Sequence, residues 1–196
     1  MTRSGRPQDA FGEKAKKEGF AARSVYKLEE IDRRVQLFKR GLRVLDMGAF
    51  PGSWTQYAAQ KVGVEGRVIA VDQQEWRGGF PKQVETRQCD VLALTPGDLG
   101  GLATFDIVMS DMAPWTTGNR FVDQCRSHEL YMHALNIAEG TLRGQGHFIG
   151  KIFQGPDFDV AKKRTQELFS NTRVMKPEAS RKESYEIFVI GIGFKG

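Results

Sequence analysis

The sequence predicts a doubly wound α/β domain in which a mostly parallel seven-stranded sheet carries helices on both faces. Three observations predict it. Short, apolar, β-branched runs alternate with segments of helical period; each run closes on Asp, Gly or another turn former; and the first run leads through a glycine-bearing turn into a helix start. Buried parallel strands read as continuous apolar runs, and joining them requires crossovers, which are usually helices.

The elements follow in order. Val25, Leu28, Ile31, Val35 and Phe38 recur at helical spacing, which predicts an amphipathic helix over 21–38, with Lys27 on another face and Gly41 as its stop. Strands are expected at 43–47, 67–71, 84–89, 105–110, 146–153 and 184–194, with a further strand at 172–175. Helices are expected at 53–62, 96–102, 125–142 and 158–169. On such a sheet, ligands bind beyond the carboxyl ends of the strands, near the point where strand order reverses.

A chain of 196 residues with 40% hydrophobic composition can bury one core. The expected organisation is a basic arm over 1–20 and one domain over 21–196. The first 40 residues hold eleven Lys or Arg against six Asp or Glu, a balance of +5, which is the net charge of the whole chain. The remaining 156 residues are therefore formally neutral. Such an asymmetry favours a polyanion near the N-terminus, because Lys and Arg displace counterions from phosphates; the plainer reading is an arm kept soluble by its charge. No apolar run approaches the roughly 18 residues of a membrane span, and residues 1–12 lack the apolar region of a secretory signal, so a cytoplasmic protein is expected. Cys89 and Cys125 have no disulfide or metal spacing and read as small buried hydrophobes. His128, His133 and His147 lack metal-ligand spacing, and no metal is expected. The Ser24 to Lys27 SxxK spelling is a coincidence, since its companion KTG element is missing.

The first strand runs into Asp46-Met47-Gly48-Ala49-Phe50-Pro51-Gly52-Ser53-Trp54, a nucleotide-binding turn. Gly48 and Gly52 let the backbone approach a ligand, and Ser53 with Gln56 has the spacing of a helix capping box. A dinucleotide site would place GxGxxG here to seat a pyrophosphate. The spacing is GxxxG with a proline inside, which suits a cofactor without pyrophosphate. Asp72, 24 residues after Gly48, ends the second strand where a ribose diol would lie, and Asp90 ends the third, suited to an adenine amino group. Singly, each Asp reads as a cap or turn residue; together they form a nucleoside-binding constellation.

Strand four ends in Ser110-Asp111-Met112-Ala113-Pro114, and strand five carries Lys151. A lysine in a buried parallel strand is costly unless paired or functional. Glu186 is similarly out of place in an apolar strand, and Lys27 lies between Tyr26 and Leu28. Each alone reads as a structural ion pair; in the proposed fold, the four charges could meet at one edge of the cofactor cleft. Among the aromatics, Trp115 is kept as a base-stacking candidate, and Phe121 and Tyr131 are read as core.

From about Phe20 to its end, the chain resembles the FtsJ/RrmJ (RlmE) family of ribosomal RNA ribose 2′-O-methyltransferases. The resemblance rests on Arg23-Ser24-Val25-Tyr26-Lys27-Leu28, the 46–54 turn, Ser110-Asp111-Met112-Ala113-Pro114, Lys151-Ile152-Phe153-Gln154-Gly155 and Glu186. It implies a Rossmann-like class I methyltransferase fold and a Lys27-Asp111-Lys151-Glu186 catalytic tetrad. It also implies S-adenosylmethionine contacts from Gly52, Trp54, Asp72, Asp90 and Asp111, with S-adenosylhomocysteine as product. The implied substrate is a uridine of 23S ribosomal RNA in the large subunit, and a monomer is expected. Three residues depart from the family: Ser53 stands where a second Gly is frequent, Phe50 replaces a small residue, and Trp115 replaces Asn. In the role expected for each residue, Lys151 accepts or steers the hydroxyl proton, Asp111 orients Lys151, and Lys27 with Glu186 holds the ribose. Two rival readings are a ribosome-assembly or RNA-binding factor with little catalytic role, and a small-molecule methyltransferase. The tetrad argues against the first and the N-terminal charge against the second.

Overall fold

The computed structural model describes residues 10–76, 79–101, 104–181 and 183–196. Residues 1–9 of the expected arm and residue 102 of the expected helix 96–102 lie outside the described residues. Helices α1 (Ala10–Lys17) and α2 (Val25–Val35) precede strand β1 (Arg43–Met47), helix α3 (Ser53–Val62), β2 (Arg67–Asp72), β3 (Val84–Gln88) and β4 (Phe105–Ser110). Helix α4 (Arg120–Thr141), β5 (Leu142–Phe153), α5 (Phe158–Leu168), β6 (Phe169–Met175) and β7 (Glu186–Phe194) complete the chain.

The seven strands form one sheet in the order β3-β2-β1-β4-β5-β7-β6. All pairings are parallel except those of β7, which runs antiparallel to both β5 and β6. This is the expected mostly parallel, doubly wound α/β architecture. The chain builds outward from β1 to β3 and then returns to place β4 on the other side of β1. The switch in strand order therefore falls between the carboxyl ends of β1 and β4.

Side chains alternate across the sheet and divide the core in two. Leu45, Met47, Val108, Phe148, Ile152 and Val189 pack with α4 and α5 residues such as Tyr131, Leu135 and Ala161. Val44, Met109, Ile149, Phe188 and Ile190 pack against α2 and α3 through Leu28, Ile31, Trp54 and Ala58. Helices thus cover both faces.

Several boundaries differ from the sequence expectation. Helix α2 is shorter than 21–38: Gln36 takes the left-handed conformation (φ 53), and Asp32 Oδ1 accepts from the N–H groups of Leu37 and Phe38, so the chain turns before Gly41. The segment expected as a helix at 96–102 holds one 3-10 turn, Gly97–Leu99, closed by Gly100 at φ 97. Helix α4 begins five residues earlier than expected because Asn119 caps it, its Oδ1 accepting from Phe121 and Val122 N–H. The Ser53–Gln56 capping box does not form. Gly52, in the left-handed conformation, caps α3; Ser53 Oγ lies 2.8 Å from Ser24 Oγ, and Gln56 Oε1 accepts from the Ala21 N–H. These bonds, with the Trp54 indole donating to the Ser24 carbonyl at 2.9 Å, lock the start of α2 onto α3. The described part of the expected arm folds as α1, whose Phe11 packs against Tyr26.

Candidate active site

Strand period assembles the charged cluster. Ile107 and Met109 of β4, Ile149 of β5, and Phe188 and Ile190 of β7 face the α2–α3 side. Two-residue steps along each strand put Asp111, Lys151 and Glu186 on that same face. Ser110 pairs with Gly150, and Phe153 with Glu186, so all three charges stand at one end of three adjacent strands. Helix α2, anchored by the buried Val25, Leu28 and Ile31, crosses this end and supplies Lys27.

The four side chains meet. Lys27 Nζ lies 2.6 Å from Glu186 Oε1 and 3.9 Å from Asp111 Oδ1. Lys151 Nζ lies 3.0 Å from Asp111 Oδ1 and donates to the Asp111 carbonyl oxygen at 2.5 Å. The sequence Glu186–Lys27–Asp111–Lys151 alternates in sign and sums to zero. Its side chains are only 5–18% exposed, where ion pairs survive desolvation only with close partners. Burial pushes the Glu186 carboxyl up, but the charge and hydrogen bond of Lys27, with Lys151 and Ser180, outweigh it and hold it below the ordinary glutamate range.

Two clefts flank the cluster. A cleft of about 620 Å³ runs from the β1–α3 turn to the 111–116 loop and is lined by Gly48, Phe50, Asp72, Asp90, Asp111 and Met112, among others. A second, of about 470 Å³, is lined by Arg23, Ser24, Lys27, Phe153, Arg181 and Glu186, among others. Ala113 lines both, while Asp111 borders the first and Lys27 and Glu186 the second.

Of the residues read as cofactor-binding, Gly48, Asp72, Asp90 and Asp111 line the larger cleft. Asp72 is held by the Phe50 and Gln74 N–H groups at 2.9 and 2.8 Å, and Asp90 accepts from the Leu92 N–H at 3.0 Å. Gly48 has φ +68, and a Cβ there would run into the Met112 side chain. Gly52 is the α3 cap, and Trp54 is buried on Phe188, lining a small notch beside Asp46, Gly48 and Asp111.

Sequence reasoning missed Arg23, Arg181 and Asp46. Arg23 is four residues before Lys27, a spacing that puts both on one side of the α2 entry; nothing local marks Arg181. Asp46 is fully buried, with the Thr55 hydroxyl donating to it at 2.6 Å. Burial raises its carboxyl, the Thr55 bond opposes, and the charges of Asp111 and Asp72 add, leaving it at about 7. Among the described residues, no cluster of His, Cys, Asp or Glu could hold a metal, and no helix is long and apolar enough to cross a membrane.

The chain is similar to several known proteins. A protein of Sorangium cellulosum named ribosomal RNA large subunit methyltransferase E is 48% identical over 94% of this chain and 87% of its own. The Bdellovibrio bacteriovorus protein of the same name is 45% identical over 96% of this chain and 98% of its own. The crystal structure of a Plasmodium falciparum protein provisionally assigned as a ribosomal RNA methyltransferase superposes with a TM-score of 0.77 at 23% identity, covering 90% of this chain and all of that one. At that identity it bears on the fold alone, and the fold agrees. The FtsJ-like methyltransferase family matches residues 20–194, and the chain belongs to that family.

Proposed function

We propose that this enzyme transfers a methyl group from S-adenosylmethionine to a ribose 2′-hydroxyl of RNA, a uridine of 23S ribosomal RNA in the large subunit. The observation that carries the reading is the Lys27–Asp111–Lys151–Glu186 cluster, with Asp111 on one cleft and Lys27 and Glu186 on the other. The names of the curated relatives support an RNA substrate and disfavour a mere assembly factor. We further propose that it acts as a cytoplasmic monomer, one domain with its basic arm on RNA phosphates.

The larger cleft suits S-adenosylmethionine. Its volume falls within the range of small-molecule pockets, and its charged groups are carboxylates. Asp72 would take the ribose diol, Asp90 the adenine amino group and Asp111 the methionyl ammonium, with Gly48, Gly52 and the Trp54 backbone passing close by. Three carboxylates would repel a pyrophosphate, in keeping with the GxxxG turn. When bound, this cofactor supplies an electrophilic methyl group on a sulfonium.

The protein's part is to position and activate the ribose oxygen. A lysine nitrogen has three positions beyond its own carbon; on Lys151 the Asp111 carbonyl takes one, and the Asp111 carboxylate, 3.0 Å away, would take a second. The third is left for the 2′-oxygen: as a proton it would orient the hydroxyl, as a lone pair it would receive the hydroxyl proton. Lys27 and Glu186, on the second cleft, hold the ribose from the other side. Holding the nucleophile in line can by itself supply several powers of ten in rate.

The test uses large ribosomal subunits that lack the modification and cofactor labelled in the methyl group. Label retained in alkali-resistant dinucleotide linkages is expected; label confined to bases would overturn the reading.

A further inference from the structure

Trp115 stands at the rim of the cofactor cleft with 84% of its surface exposed. Isolated exposed apolar residues are ordinary on soluble proteins, but three features set this one apart. It lies four residues after Asp111, hence within about 14 Å of it along the chain, on the loop that lines the cofactor cleft. Its loop is tied down: Thr117 donates to Asp123 Oδ1 through both its N–H at 2.8 Å and its hydroxyl at 2.9 Å, the Asn119 N–H donates to Thr117 Oγ1, and Asn119 then caps α4. The indole is thus presented from a fixed position. Third, the exposed Arg120 ends the same loop with its guanidinium 5.1 Å from the ring of Tyr185, the neighbour of Glu186, which brings a cation beside the tetrad.

A planar ring and a cation on one rim match the two parts of a nucleotide, base and phosphate. RNA enzymes read single strands by stacking splayed bases on aromatic side chains. We infer that Trp115 stacks on an unpaired RNA base beside the methylated nucleotide, with Arg120 on the adjoining phosphate. This rests on the RNA ribose methylation proposed above and adds a subsite to it. A ring serving the cofactor's adenine would be walled in by the cleft, as Val91 is at 7% exposure; the Trp115 ring faces outward.

Steady-state methylation of unmodified large subunits tests it, with cofactor affinity measured separately. For Trp115→Ala, the KM for subunits should rise about tenfold, the size of one lost base–aromatic stack. Turnover and the Kd for S-adenosylmethionine should each change less than about twofold. Trp115→Phe should restore the KM, and Trp115→Leu, apolar but not planar, should not. Arg120→Ala should lower the dependence of log KM on log salt by about one phosphate contact. An unchanged KM in Trp115→Ala, a weakened cofactor in place of a weakened subunit, or full rescue by Leu would overturn the stacking role. Those results leave the methylation reading intact, whereas a wild-type enzyme that leaves 2′-oxygens bare removes both.

Discussion

Helix α2 carries the half-buried Lys27 and, five residues on, the buried Asp32, and their surroundings differ in kind. Asp32 is saturated: Oδ1 accepts from the Leu37 and Phe38 N–H groups at 3.1 and 3.2 Å, Oδ2 from the Tyr57 hydroxyl at 2.8 Å, and Lys61 lies 3.6 Å away. Burial, then the bond to Asp32, pushes the Tyr57 phenol well above its ordinary range. Lys27 meets the carboxylates of Glu186 and Asp111, and it borders an open cleft. The lesson is that burial of charge alone does not mark a site. A charge satisfied by backbone N–H groups and a phenol closes a helix, whereas one whose close partners are all charges beside a cleft is poised for a ligand.

Four substitutions break or sharpen that contrast. The largest effect is expected from Lys151→Ala, which removes the group proposed to face the ribose oxygen. Single-turnover methyl transfer should fall about a thousandfold, the range of a lost general acid–base group. A rate near wild type would strike Lys151 from the mechanism. Asp32→Ala should do the reverse: it strands the Tyr57 hydroxyl and two N–H groups and should cost about 3 kcal/mol of stability. Calorimetry should show a Tm lowered by roughly 6–12 °C, while the rate per folded molecule stays near wild type; a rate loss matching that of Lys151→Ala would erase the distinction between the two charges.

Glu186→Gln removes the charge nearest Lys27 and should slow transfer about tenfold, through a loosened ribose contact. Because the folded-state Glu186 carboxyl is held below its ordinary value of 4.5, its stabilisation is present above that pH and is lost as acid protonates it in the fold. Acid melts should therefore destabilise the wild type more than Glu186→Gln; parallel acid curves would contradict the pairing. Asp46 carries the opposite sign. Its folded value of about 7 exceeds the ordinary 3.8, so the native state holds the extra proton between those values and wild-type stability falls as pH rises through that window. Relative to wild type, Asp46→Asn should gain at most roughly 1.4 kcal/mol per pH unit there, read from denaturant midpoints. A gap that does not vary with pH would show Asp46 ionised throughout.

Much of the fold was legible because its signals are local. Five of the seven strands begin and end within two residues of the bounds expected from the sequence, and β5 and β6 are the stretched cases: β5 starts at Leu142 with no loop after α4, and β6 starts at Phe169 with no loop after α5. Nothing local announces a strand that continues directly from a helix. The missed start of α4 was legible in principle, since Asn119 followed by Phe121 and Val122 is a capping signal that the search for apolar period passed over. The Ser53–Gln56 spelling misled for the opposite reason. Its residues were claimed by Ser24 and Ala21, from the segment that leads into α2 and is distant in sequence.

The sequence by itself determined the layered α/β class, the glycine turn and the presence of ionisable groups in apolar strands, because strand period, turn chemistry and the cost of buried charge act over a few residues. Only the tertiary structure decided that Lys27 reaches Glu186 across 159 positions of chain, that Asp111 is shared between two lysines, and that two clefts meet at Ala113. Those contacts depend on strand order and on the antiparallel return of β7, which brings the first residue of one strand beside the last residue of another. Side chains so far apart in sequence meet only when the packed sheet fixes their register.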